Sequence, residues 1–289
     1  MQDRLFVLLQ YIVPQHLLSR LVGALAESRL PLIKNPLIKL FAKQFKVNMQ
    51  EAEREVLEDY VNFNDFFTRS LKTDARQIDS HPQHLACPVD GAISQIGDIK
   101  SGQILQAKGQ DFSVTTLLGG QPAWSAPFQD GQFTTIYLSP KDYHRIHMPC
   151  DGKLVRMVHV PGQLFSVNQA TAENVPGLFA RNERLVAIFE TEFGPMAMVL
   201  VGAMIVASIE TTWAGLICPP GRQINTWEYV EQGAIYLRKG EEMGRFKLGS
   251  TVILCLPKNT CEWNSELQPG TSTRMGQMLA STATMPMDD

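Results

Sequence analysis

Met243-Gly244-Arg245-Phe246-Lys247-Leu248-Gly249-Ser250-Thr251-Val252 is the stretch whose reading decides the rest. An alternating run (Phe246, Leu248) leads into Gly249-Ser250-Thr251, and a continuous apolar run from Val252 to Leu256 follows, so one strand enters Ser250 and another leaves it. Gly249 has no Cβ to shield its carbonyl, and a serine hydroxyl beside such a carbonyl can attack its own peptide bond. The plainer reading is a Gly-Ser bulge or tight turn between two strands. The triplet does not choose between them.

At 289 residues the chain accommodates one large domain or two small ones, and 44% hydrophobic with 19% charged residues describes an ordinary globular protein. The net charge of -3 is unevenly spread. Residues 1–50 carry seven basic side chains against two acidic ones, a net of +5, and the remainder carries 19 against 27, a net of −8. A basic leading segment on an acidic body points to an anionic surface as partner for that segment, and no feature suggests nucleic acid. The five cysteines (Cys87, Cys150, Cys218, Cys255, Cys261) are scattered, with no Cys-x-x-Cys pair, which suits reduced thiols and indicates neither a disulfide framework nor a zinc site. The apolar run Leu5 to Val13 falls far short of the ~20 residues that cross a bilayer, so neither a spanning helix nor a signal peptide is expected.

Three helical segments open the chain: Leu5, Leu8, Leu9 and Ile12; after Pro14, Leu17, Leu18, Leu21, Val22 and Leu25; after Pro36, Leu37, Ile38, Phe41 and Phe45. In the third, Lys39, Lys43 and Lys46 form a stripe opposite the apolar face. Such a helix can lie in a membrane interface, or pack on its own domain with its lysines solvated. Asn48 followed by Glu51 reads as a capping box for a helix over Met49 to Val61. The phenylalanines of Phe63-Asn64-Asp65-Phe66-Phe67-Thr68-Arg69 read as core, and the polar stretch from Ala75 to Pro88 as a boundary between a leader (1–75) and a body (76–289). From Val89 onward strands dominate: Ala92 to Ile96, Phe133 to Leu138, Lys153 to Val160, Leu185 to Glu190, Met196 to Ala207, Ala234 to Leu237 and Val252 to Leu256. Without long helices alternating between them, they predict an α+β fold, N-terminal helices followed by a mainly antiparallel β-rich body.

Ser139-Pro140-Lys141-Asp142 has a cap serine, a proline and an acid spaced to start a helical turn, which would place His144 and His147 on one face. Two histidines without a third ligand suit proton handling or burial better than a metal. Pro88-Val89-Asp90-Gly91 is by default a turn. An aspartate that orients a histidine that deprotonates a serine is the usual way to activate a hydroxyl, and Asp90, His147 and Ser250 supply those three types.

Taken together and in order, Phe63 to Arg69, Pro88 to Gly91, Tyr143-His144-Arg145-Ile146-His147-Met148-Pro149, Asn182-Glu183-Arg184, Trp213-Ala214-Gly215 and Gly244 to Thr251 resemble the pyruvoyl-dependent phosphatidylserine decarboxylase family of proteobacteria, over about Arg4 to Leu279. The resemblance implies a proenzyme that cuts itself between Gly249 and Ser250. Asp90 holds His147, His147 takes the proton of Ser250, and the hydroxyl turns the amide into an ester. Elimination and loss of ammonia then leave a pyruvoyl group at position 250, on an alpha chain of 250–289 separated from a beta chain of 1–249. That ketone is the covalent cofactor. It forms a Schiff base with the substrate amine and accepts the electrons that loss of carbon dioxide leaves on the substrate, as pyridoxal phosphate (PLP) does elsewhere, so neither PLP nor a metal is expected. The resemblance further implies phosphatidylserine in an anionic membrane as substrate, phosphatidylethanolamine as product, His144 as proton donor, a homodimer, and a peripheral protein on the cytoplasmic face of the inner membrane. Two rival readings use the same residues: a serine hydrolase built on Asp90, His147 and Ser250, which leaves the chain intact, and a non-enzymatic β module held on membranes by its leader.

Overall fold

A computed structural model describes residues 2–107, 109–203, 209–217, 223–229, 233–247 and 250–282. Leu248 and Gly249, the residues before Ser250, and Cys218 lie outside them. The fold is α+β with a mainly antiparallel body. Helices α1 (Gln2–Ile12) and α2 (Gln15–Ala26) are divided at Pro14, and α3 (Pro31–Phe45) begins on a proline, where the missing N–H costs nothing. The helix expected after Pro36 thus starts earlier and contains that proline. Its lysine stripe ends at the cap, because Lys46 has a left-handed φ of 55°.

α3 turns Ile38 and Phe41 inward, onto α4 (Phe63–Phe67). Phe41 meets Phe63, Phe66 and Phe67 edge-on at 5.0, 6.2 and 5.8 Å. The edge-on arrangement suits ring quadrupoles. Lys34 is buried there and donates to the carbonyls of Glu58 and Tyr60 at 2.7 and 2.5 Å. α1 goes elsewhere. Its Val7 joins the core of the β body, and Gln10 accepts from the Ser166 amide at 2.8 Å and donates to Thr171 Oγ1 at 3.3 Å.

The helix expected over Met49 to Val61 is absent: the segment is irregular apart from one 3-10 turn, Leu57–Asp59. Asn48 accepts from the Gln50 amide, a local turn, and Glu51 pairs instead with Arg76 at 3.0 Å and Arg274 at 2.7 Å. Distant cations have taken the acid that a capping box needs.

In the β body a nine-stranded antiparallel sheet runs in the order Asn225–Glu228, Gly152–Val160, Arg184–Thr191, Gly194–Gly202, Ser250–Leu256, Gln132–Leu138, Gly91–Asp98 and Ser272–Thr273, with Ile235–Leu237 also on Gly152–Val160. The Ser250 strand lies at its centre. Val252 and Leu254 face one apolar core, Ile253 and Cys255 another, which explains its unbroken apolar run. A four-stranded sheet, in the order Gly215–Ile217, Ile209–Thr211, Glu242–Phe246 and Arg145–His147, packs on the first of those cores through Ile146, Ile209 and Phe246.

Candidate active site

Two chain segments change sheets with their described ends paired on either side of the crossing, and this brings His144 and His147 toward Ser250. The first leaves the large sheet at Leu138 and enters the small one at Arg145; the second leaves the small sheet at Phe246 and enters the large one at Ser250. Leu138 pairs with Ser250 at one end of the crossing, and Arg145 pairs with Arg245 at the other. His144 is therefore beside the segment that leads to Ser250, and its carbonyl accepts from the Phe246 amide at 3.1 Å. Ser250 also pairs with Gly202. By the alternation of a strand its side chain shares the face of Val252 and Leu254, toward the small sheet. Its Oγ is enclosed and has no hydrogen-bond partner among the described residues. A buried hydroxyl without a hydrogen bond costs free energy.

Both histidines are held by backbone carbonyls, and a carbonyl only accepts. His144 therefore carries its proton on Nε2, 3.1 Å from Ser139 O, while Nδ1 is buried without a partner. Its ring stacks on Phe67, centroids 4.0 Å apart and planes at 28°. Burial first, and the Arg69 charge second, push the imidazole down to about 3. His147 has the opposite tautomer: Nδ1 donates to Gly240 O at 2.8 Å, and Nε2 accepts from the Tyr143 hydroxyl at 3.1 Å. Burial lowers its pKa too, opposed by the Gly240 bond, and burial pushes the Tyr143 phenol up to about 12, so that it stays a donor. Near neutral pH both imidazoles are uncharged bases.

Asp90 is nearly enclosed, and its carboxylate is held by Arg76 through Nε at 2.9 Å and through Nη2, and by the Met275 amide at 2.8 Å. It stands close to His147, whose amide donates to Pro88 O at 2.9 Å, but no hydrogen bond joins Asp90 to His147, or His147 to Ser250, among the described residues. The Asp-Gly pair is not a turn. Gly91 opens a strand, and a Cβ there would lie 2.4 Å from Tyr137 O, so close approach to the neighbouring strand demands glycine.

The helical turn expected at Ser139 is also corrected. Asp142 Oδ2 accepts from the Ser139 amide and hydroxyl, both at 2.7 Å, which closes a turn, but the chain then runs extended into Arg145–His147. Pairing with Glu242–Phe246 wins over the local helix signal, so His144 and His147 do not share a helical face. No three His, Cys, Asp or Glu side chains among the described residues gather closely enough to hold a metal ion.

A family model described as phosphatidylserine decarboxylase matches residues 63–281, from the first residue of α4 to the last strand of the body, and a second, described as PSD, matches 5–46. The phosphatidylserine decarboxylase proenzyme of Ectopseudomonas mendocina is 58% identical over 283 residues, covering 97% of this chain and 99% of its own. That of Pseudoalteromonas atlantica is 58% identical over 284 residues, with 97% and 99% covered. The chain belongs to the phosphatidylserine decarboxylase family. It is a carboxy-lyase.

In this phosphatidylserine decarboxylase family member several neighbours of the site were not singled out from sequence. Phe67, Arg69 and Tyr143 stand inside the quoted motifs, yet a phenylalanine read as core gives no sign that its ring lies under a histidine. Arg76 sits in the polar stretch read as a boundary, and no local signal marks it as the partner of Asp90. Gly240 acts through its carbonyl, which no side-chain pattern can reveal.

Proposed function

We propose that the chain decarboxylates phosphatidylserine to phosphatidylethanolamine with a pyruvoyl group made from its own Ser250, after Ser250 has cut the Gly249–Ser250 bond. The observation that carries this reading is the enclosed Ser250 hydroxyl, unpartnered among the described residues, at the first position of the central strand, one strand-crossing away from two neutral histidines. Gly249 itself lies outside the described residues.

His147 is the base for self-cleavage. Gly240 O holds its Nδ1 proton, leaving Nε2 to take the Ser250 proton once the Tyr143 hydroxyl gives way. The Asp90 carboxylate supports the imidazolium that results, from its present place through space, and by direct contact once it swings from Arg76. When formed, the pyruvoyl carbonyl supplies the electron sink for loss of carbon dioxide. His144 protonates the product carbon through Nδ1. With its pKa at about 3 it rests neutral, so it collects that proton within the cycle. The β-rich body splits into a beta chain, 1–249, and an alpha chain, 250–289, and needs neither PLP nor metal.

The leader docks on the anionic membrane that holds the substrate. Because α3 turns Ile38 and Phe41 onto α4, the docking face is the row of exposed leucines on α1 and α2, continued by Leu30, Leu32 and Leu40. We place the enzyme as a peripheral homodimer on the cytoplasmic face of the inner membrane. Light scattering reads the first point, and protection from protease added outside intact cells the second.

Intact-mass measurement after expression tests the function. The expected result is a small fragment beginning at residue 250 whose first residue resists Edman chemistry and gains mass with a hydride donor plus amine. Ser250→Ala should leave one uncut chain, and His147→Ala or Asp90→Asn should slow or stop cutting. An active, uncut chain with a free Ser250 hydroxyl that reacts with phosphonylating reagents would point to the hydrolase instead.

A further inference from the structure

A cavity of about 490 Å³ is walled by residues that hold the site together: Ser139, whose carbonyl fixes His144; Tyr143, whose hydroxyl meets His147; and Asp90. Five cations line it. Two are already neutralised, Arg76 by Asp90 and Glu51, and Arg274 by Glu51. Lys46, Arg69 and Lys141 have no carboxylate within ion-pair distance among the described residues.

Arg69 is the unusual one. It is only 4% exposed, yet no carboxylate forms an ion pair with it among the described residues. Nη2 donates to the carbonyls of Lys141 and Asp142 at 3.0 and 3.4 Å, and among the described residues Nε is enclosed without a partner and Nη1 is neither bonded nor enclosed. Asp90 and Asp142 line the same cavity and their charges act on Arg69, but neither carboxylate bonds its guanidinium, which suits this wall to a further anion entering the cavity. Lys46 and Lys141, both exposed, stand at the rim, and Lys46 caps the helical leader.

A phosphatidylserine headgroup carries two anions, and this inference rests on that substrate. A fixed cation on the carboxylate would stabilise the reactant and lose its interaction as carbon dioxide leaves, which opposes the reaction. The phosphodiester keeps its charge throughout. We propose that Arg69, with Lys46 and Lys141 at the rim, binds the phosphodiester of the substrate and places the serine moiety beside His144. Arg69 also depresses the pKa of His144, so a bound phosphodiester would offset that charge and favour the protonated ring that product formation requires.

The test compares mature enzyme with Arg69→Gln, Lys46→Gln and Lys141→Gln on a short-chain phosphatidylserine, with glycerophosphoethanolamine, ethanolamine and inorganic phosphate as inhibitors. For Arg69→Gln the expected result is normal maturation by mass, a KM raised roughly tenfold or more, and a kcat that falls by less. Glycerophosphoethanolamine should compete and lose its affinity in the variant, inorganic phosphate should compete more weakly, and ethanolamine should not compete. A fall in kcat with KM unchanged would overturn the proposal, leaving Arg69 as a brace for the 139–143 loop. Inhibition by inorganic phosphate equal to that by the diester would also overturn it, as a general anion site. Should Arg69→Gln fail to mature, the rim variants decide: each raises KM and flattens its salt dependence, or the proposal is wrong. Maturation and carbon dioxide release in the parent chain test the decarboxylase reading separately.

Discussion

At the scale of single residues, the two histidines differ less in surroundings than in which nitrogen is spoken for. His144 gives Nε2 to a carbonyl and keeps a bare, enclosed Nδ1; His147 gives Nδ1 to a carbonyl and meets a hydroxyl with Nε2. Holding them neutral has a consequence for stability. Each has a folded pKa below its ordinary value of 6.5, about 3 for His144, so below pH 6.5 the unfolded chain binds protons that the folded chain refuses. The stabilisation is complete above that pH and is lost as pH falls toward 3. In the uncut Ser250→Ala chain the urea midpoint should therefore drop between pH 7 and pH 5, and adding His144→Leu should flatten that drop. An equally steep drop in the double variant would remove His144 from the account.

At the scale of elements, the Asp90 segment is held from both sides of the expected cut. Arg76 belongs to 1–249 and Met275 to 250–289, and both bond the same carboxylate. Arg76→Met removes the cation and leaves a carboxylate that is 7% exposed with one amide for company. Breaking such a pair costs roughly 3 kcal/mol. Urea unfolding of the Ser250→Ala chain with and without Arg76→Met measures it, and a loss under about 0.5 kcal/mol would mean that water reaches Asp90 freely. The same network explains where element prediction failed. Asn48 and Glu51 have the spacing of a capping box, and Ser139 and Asp142 that of a helix start, but Glu51 serves Arg76 and Arg274, and the 145–147 segment serves a sheet. A local signal worth about 1 kcal/mol yields to tertiary contacts of that kind.

For the molecule as a whole, no helix among the described residues is long and apolar enough to cross a membrane, yet one side of the leader is unusually apolar for a surface. Leu21 is 63% and Leu32 91% exposed, and neither packs in a described core. Leu21→Glu with Leu32→Glu should leave maturation and folding intact and lower sedimentation with anionic vesicles several-fold, since each substitution places a charge where an apolar side chain would enter the acyl boundary. Undiminished sedimentation would move the docking face elsewhere. The face could not be assigned from periodicity, because all three helices are amphipathic and only packing shows that α3 turns Ile38 and Phe41 onto α4 while Leu32 and Leu40 stay exposed.

The longer strands of the large sheet, the central apolar run and Ser250 at its head were legible in the sequence, because alternation, apolar runs and glycine chemistry act between neighbours along the chain; short strands such as Arg145–His147 were not. The ordered motifs also named the residues now found around the sheet crossing. Only the tertiary structure decided that His144 lies on Phe67, that Arg76 holds Asp90, that two carbonyls set opposite tautomers, and that Arg69 keeps a free edge toward a cavity. Each of those is a contact in space, made through backbone atoms or between distant positions, and its energy depends on burial that no local pattern encodes.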